Sequence, residues 1–241
     1  MSAIFRRELA AYFATPLAFV FLIIFLITMG AFTFYVGHFY ENGVADLSTF
    51  FGYHPWLYLM LMPALAMRLW AEERRGGTLE LLLTLPVTPW EAVLGKFLAA
   101  WVFAGIALVL TFPIWLTVNY LGDPDNGVIL AAYAGSFLMA GAYLAIGSAI
   151  SAATTSQVIA FIVATLVCFL FTVSGSPLVL DVVKGWAPVS LVEAISSFSF
   201  ITHFISMAAG VIDLRDLIFF LSLIGLFLFA TVLIVDQRER G

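Results

Sequence analysis

The sequence predicts an all-α, polytopic membrane protein with six transmembrane helices. Three observations predict it. The chain is 63% hydrophobic but only 10% charged, where a soluble domain carries about 25% charged residues. A soluble fold of 241 residues has too much surface to clothe with so few polar groups. The apolar residues also fall in continuous runs near the roughly 20 residues a helix needs to cross a bilayer, rather than in the alternation of barrel strands.

The six runs are Leu17–Val36, Phe50–Trp70, Phe97–Tyr120, Val128–Ile150, Val158–Leu180 and Leu217–Val235. Of the ten Lys and Arg residues, eight (Arg6, Arg7, Arg68, Arg74, Arg75, Lys96, Arg238 and Arg240) fall on one side, and Lys184 and Arg215 on the other. Basic residues stay on the cytoplasmic side, so both termini are expected there. The N-terminal run is followed by no persuasive small-residue cleavage site and does not read as a signal peptide. A net charge of -5 argues against nucleic acid as a partner. The lone Cys168 reads as a small apolar packing residue.

The spans lack charge at their centres, whereas ion-coupled carriers keep an ionisable group there. The chemistry is therefore sought at the cytoplasmic side. Residues 2–14 read as an amphipathic helix with Phe5, Leu9, Tyr12 and Phe13 on one face and Arg6 and Arg7 beside them, suited to lie among anionic lipid headgroups. Thr15-Pro16 reads as the cap and first turn of the first span. Residues 72–96 make a long connection. Gly76-Gly77 ends the second span, Thr78 caps a short helix with Leu79, Leu82 and Leu83 on one face, and Pro86 ends it. Thr88-Pro89-Trp90-Glu91 is a capping box that launches the third span. A second cytoplasmic connection holds Thr154, Thr155 and Ser156.

On the outer side, residues 181–216 read as one or two short helices at the interface. His38, His54 and His203 lack metal-ligand spacing and read as interfacial histidines. Trp56, Trp115, Trp186, Tyr53, Tyr58 and Tyr120 read as an aromatic belt. Gly141, Ala145, Ala149 and Ala153 form a small-residue ridge that reads as internal packing. Pro63 and Pro113 are expected to kink their spans. Ser136, Ser148, Thr165 and Thr172 read either as the lining of a path or as residues bonded to their own helix backbone.

The run AEERRGGTLELLLTLPVTPWEAVLGKF at 71–97 resembles the coupling segment of ABC-2 type permeases, and among them the gliding-motility (Gld) type. FRRELAAYFATPLAFV at 5–20 resembles the interfacial elbow of that group, and HFISMAAGVIDLRDLIFFLSL at 203–223 its last outer segment and final span. The resemblance runs the length of the chain, which then forms a single transmembrane domain over 1–241. It implies the membrane half of an exporter, paired with a second copy or a paralogous permease and seated on two ABC ATPase subunits. ATP and Mg would be bound by the ATPase, since the chain has no Walker A sequence and no cofactor of its own. The implied ATPase contacts are Glu72, Glu73, Arg74, Gly77, Thr78, Glu80 and Leu83. The implied elbow residues are Phe5, Arg6, Arg7 and Leu9. His203, Phe204, Asp213 and Arg215 are the implied partner or gate residues. The Gld likeness further implies a companion protein with a large extracytoplasmic domain, in a bacterial inner membrane. The alternatives are an ATP-driven mechanotransducer without cargo, or an ATP-independent carrier or channel. No span carries the residue pairs of an intramembrane enzyme.

Overall fold

The computed structural model describes residues 1–41, 43–77, 87–185 and 188–239. All regular structure among them is helical. In chain order the helices are α1 (Ser2–Ala14), α2 (Pro16–Ala31), continued by a π-helical turn (Phe32–Val36), α3 (Ser48–Gly52), α4 (His54–Ala66), α5 (Arg68–Gly76), α6 (Pro89–Val109) and α7 (Phe112–Leu121). There follow α8 (Asn126–Ala153), α9 (Gln157–Val173), α10 (Pro177–Lys184), α11 (Val189–Ser197), α12 (Phe200–Ala208) and α13 (Leu214–Glu239).

By length and composition, Ala18–Val36, Pro89–Leu121, Asn126–Ala153 and Leu214–Gln237 can each cross a membrane, among the described residues. The α11–α12 pair, bent by 63°, would make a fifth crossing if it is one span. The chain is a multi-pass membrane protein. Two predicted spans are interrupted. The second, Phe50–Trp70, is divided into α3, α4 and α5 by breaks at Tyr53 and Met67. The fifth, Val158–Leu180, stops as a helix at Val173, and α10 begins only at Pro177. Proline explains two of these junctions, because it lacks the N–H that continues a helix. Pro55 follows the first break and Pro177 opens α10, whereas Pro63 lies inside α4, one turn before the second break.

The axis of the bundle is α8, against which α4, α5, α6, α9, α12 and α13 all pack. Of its apolar window 72% is buried, against 22% for the first span. Its sequence explains this. Gly, Ala and Ser recur along every face, so neighbouring backbones approach closely. Gly141 faces Trp101 and Ile224, and a Cβ on Gly147 would run into the Cβ of Ala66. Ala145 and Ala149 are buried as well, so this stretch of the ridge packs inside the chain.

Hydroxyls on α8 also mend the broken second span. Ser151 Oγ accepts from the N–H groups of Trp70 and Ala71 at 3.1 Å each and donates to Met67 O at 2.9 Å. A hydroxyl has one donor and two acceptor sites, and all three are used here on the α4–α5 break. Ser148 accepts from Trp70 Nε1 at 3.1 Å, Ser136 pairs with Tyr58 at 2.8 Å, and Tyr143 donates to Pro55 O at 3.2 Å. Ser136 and Ser148 thus bond between helices, and both are buried. Thr172 bonds its own helix at Cys168 O and also meets Tyr143.

Four local expectations change. Thr15 precedes α2, but its hydroxyl donates back to Tyr12 O instead of capping. Tyr58 belongs to the core, not to an aromatic belt, because its hydroxyl has a partner there; Trp56 and Tyr120 are exposed. His54 and His203 are buried, and only His38 of the three histidines is exposed. The 181–216 segment does not lie wholly at a surface. α11 buries no residue, but α12 buries Phe200, His203, Phe204 and Met207 against the axis. Trp186 lies outside the described residues.

Gly147→Leu is expected to force α8 from α4, because the Ala66 backbone cannot yield. Overpacking of this kind costs about 1–3 kcal/mol, to be read as a lowered thermal unfolding midpoint in detergent, with Gly225→Leu, where a Cβ meets nothing within 4 Å, as the neutral control.

Candidate functional site

The charged residues of the basic end converge on one amine. Lys96 lies two turns into α6, which starts on a complete capping box: Thr88 accepts from the Glu91 N–H, and Glu91 accepts from the Thr88 N–H. This cap fixes the helix start, and with it the direction in which Lys96 projects. The Lys96 side chain is only 3% exposed. Its Nζ lies 2.8 Å from Glu73 Oε1 on α5 and 3.2 Å from Glu8 Oε1 on α1. It also sits 5.5 Å from the centre of the Trp70 ring, within cation–π range. Arg7 closes the cluster, 2.7 Å from Glu8 and 3.7 Å from Glu73. One ammonium therefore joins α6 to both α1 and α5.

The partners of α1 were only partly visible in its sequence. The inward residues are Ile4, Glu8 and Tyr12, one turn apart. Ile4 is buried against Gly95 of α6, and Tyr12 stacks on Phe103 at 4.9 Å. Phe5 and Leu9 are half-buried beside them, Arg6 and Arg7 are exposed, and Phe13 touches Phe103 edge-on while remaining exposed. Burial alone would raise the Glu8 carboxyl, but Lys96 and Arg7 together hold it below its ordinary value. Neither Glu8 nor Lys96 was singled out as a site residue. The signal was present in a lysine placed inside an apolar helix and an acid at the i+4 position from Ile4.

α5 carries the other candidate residues. Arg68 makes a two-pronged contact with Glu72, at 2.7 and 3.1 Å, and these hydrogen bonds hold the Glu72 carboxyl below its ordinary value. Glu73 turns inward to Lys96, so it braces the bundle instead of facing outward. Arg74 donates to Ala152 O at 2.8 Å, at the last turn of α8. The arginine thereby joins the two connections that the sequence marked separately, since Thr154 and Ser156 follow at once. Ser156 caps α9 at the Ile159 N–H. α5 ends on Gly77 with φ +68, the left-handed geometry that favours glycine at a helix end. Thr78, Glu80 and Leu83 lie outside the described residues.

At the opposite end the structure brings His203 to Asp216, while Asp213 and Arg215 are exposed at the start of α13 and Phe204 is buried. His38 pairs with Glu41 at 2.7 Å, and His54 is enclosed by Phe50, Phe51 and Tyr58. No cluster of three His, Cys, Asp or Glu able to hold a metal occurs among the described residues.

A helical bundle with a charged, cross-braced end and a glycine-terminated helix leading away from it is the architecture of a membrane subunit. A family model described as ABC-2 family transporter protein matches residues 40–235. The chain belongs to that family, as a permease subunit of an ABC system. No curated protein matches the sequence.

Lys96→Met would leave two half-buried carboxylates facing each other. Breaking such a pair on one side costs about 3–5 kcal/mol, and Lys96→Met with Glu73→Gln is expected to recover part of the loss in thermal unfolding. Acid acts on the same brace. Because the Glu8 carboxyl is held below its ordinary value, its contribution is full above the ordinary carboxylate range and disappears as pH falls through the lowered value. Proteolysis of α1 is therefore expected to accelerate at low pH, and Glu8→Gln to show that acceleration already at neutral pH.

Proposed function

We propose that this chain couples ATP hydrolysis by a separate ABC ATPase to export across a bacterial inner membrane. The observation that carries the reading is the brace around Lys96. It makes α1, α5 and the start of α6 one body, from which Gly77 leads directly into residues 78–86. A push on α5 by an ATPase would reach the membrane helices through that body.

In this reading the basic end is cytoplasmic, and Glu72, Arg74, Thr78, Glu80 and Leu83 meet the ATPase while Glu73 holds the lever to the bundle. ATP and Mg are bound by that partner. Six crossings result if α3–α5 count as one broken span and α9 as a short one. α1 then lies in the membrane interface, with Arg6 and Arg7 toward lipid headgroups. A second permease completes the membrane unit, as a copy of this chain or a paralogue. The Gld-type likeness adds a companion with an extracytoplasmic domain. The exposed α11 supports that second contact, and with it the alternative in which the complex works on an outer partner and moves no cargo.

Co-purification in mild detergent is expected to bring down an ABC ATPase. Gly77→Val puts a β-branched residue at positive φ, a strain of about 1–2 kcal/mol, and redirects the segment that follows. The assembled complex is expected to keep its subunits but lose ATP-driven transport. Wild-type ATPase and transport rates in Gly77→Val would overturn the coupling role.

A further inference from the structure

One buried pair at the end opposite the brace has no part in the coupling reading. His203, in the first turn and a half of α12, is 4% exposed, and Asp216, at the start of α13, is 5% exposed. His203 Nδ1 is 2.6 Å from Asp216 Oδ1, and Nε2 is 2.9 Å from Ser197 O. The ring also stacks on Phe219, with centroids 4.0 Å apart. Ser197 is the last residue of α11. A single imidazole therefore spans the 63° bend between α11 and α12 and ties it to the final helix.

Proton counting makes this tie conditional. The Ser197 carbonyl can only accept, so a bond to it needs a hydrogen on Nε2. The Nδ1–Oδ1 contact needs a second proton, on the ring or on the carboxyl group. With it the pair has no net charge. Without it, the neutral ring has one N–H to share between Asp216 and Ser197, so either the carboxylate or the carbonyl faces a nitrogen lone pair and one of the two ties is lost. Asp216 Oδ2 has no hydrogen-bond partner among the described residues, so the stranded charge finds little compensation there.

Other titratable groups on the packed elements do not take over this role. On α8, Tyr143 is turned to Pro55 and Thr172, and Tyr133 to Thr111. Cys168 of α9 is buried on its own helix. Glu193 of α11, and Asp213 and Arg215 at the start of α13, are exposed. α3 carries no titratable side chain, and His54 of α4 meets α12 at the Phe204 ring. Asp236, Arg238 and Glu239 sit at the far end of α13.

We propose that the His203–Asp216 pair is a proton-operated latch: protonated, it holds the α11–α12 bend against the start of α13, and deprotonated, it releases the bend. The latch makes the outer end of the bundle responsive to pH independently of nucleotide at the other end. Asp216→Asn separates the hydrogen bond from the proton, because the amide can donate to a neutral ring at any pH. His203→Ala removes the tie altogether.

The test uses the full chain in lipid nanodiscs with spin labels at Leu191→Cys on α11 and Ile218→Cys on α13. Both positions are exposed, and the native Cys168 is buried. As pH is raised from about 5 to about 9, the wild-type pair is expected to lose its narrow distance component. Asp216→Asn is expected to keep that component throughout, and His203→Ala to lack it throughout. A wild-type distribution that does not change with pH overturns the latch. So does any loss of the narrow component in Asp216→Asn, a comparison that stands even if His203→Ala fails to fold.

Discussion

Backbone groups that leave a helix inside lipid find no water, and each must be satisfied by protein. The organisation of this bundle follows from how that demand is met at the breaks of α3, α4 and α5. The mending groups are hydroxyls of α8, which reach their targets because the side chains around them are small. Ser151 spends its whole bonding capacity on Met67, Trp70 and Ala71. The broken span and the axis therefore form one unit, and Arg74 extends that unit to the last turn of α8. The prolines loosen the span, and the serines fix the shape that results.

The same unit carries the brace at the basic end. A buried ammonium is costly unless paired, and Lys96 is paired from two directions, by Glu73 on α5 and Glu8 on α1. The capping box at Thr88 aims it, and Gly95, its neighbour, lets Ile4 of α1 lie close. Association of α1 with the bundle thus rests on both shape and charge. The brace thus ties α1, α5 and the start of α6 to the unit built on α8.

How much of this could be read from the sequence depends on the range of the interactions involved. Four of the six apolar runs coincide with helices long enough to cross a membrane, and local rules placed the Thr88 cap, the Gly77 stop and the α1 helix, because caps, glycine geometry and periodicity act within a few residues. The family likeness argued from residues 71–97 agrees with the match over 40–235. The breaks at Tyr53 and Met67 were not legible. A proline in a span permits a break, but whether one forms depends on a hydroxyl more than 80 residues away. The family resemblance implied Glu73 as an ATPase contact, yet it pairs with Lys96 on another helix. His203 looked interfacial because histidine is polar. Its burial depends on Asp216 and the Ser197 carbonyl, which its own neighbourhood does not reveal.

The first span stands apart from this dense network. With 22% of its window buried, α2 touches the bundle through a few rings, Phe21 against Phe103 and Phe25 against Tyr58, and otherwise presents Phe19, Ile23, Ile24 and Ile27 outward. Aliphatic exchanges on that outward face leave the packing within the chain untouched, whereas on α8 a single Cβ added at Gly147 runs into Ala66. One helix therefore tolerates variety in shape, and the other demands a single fit.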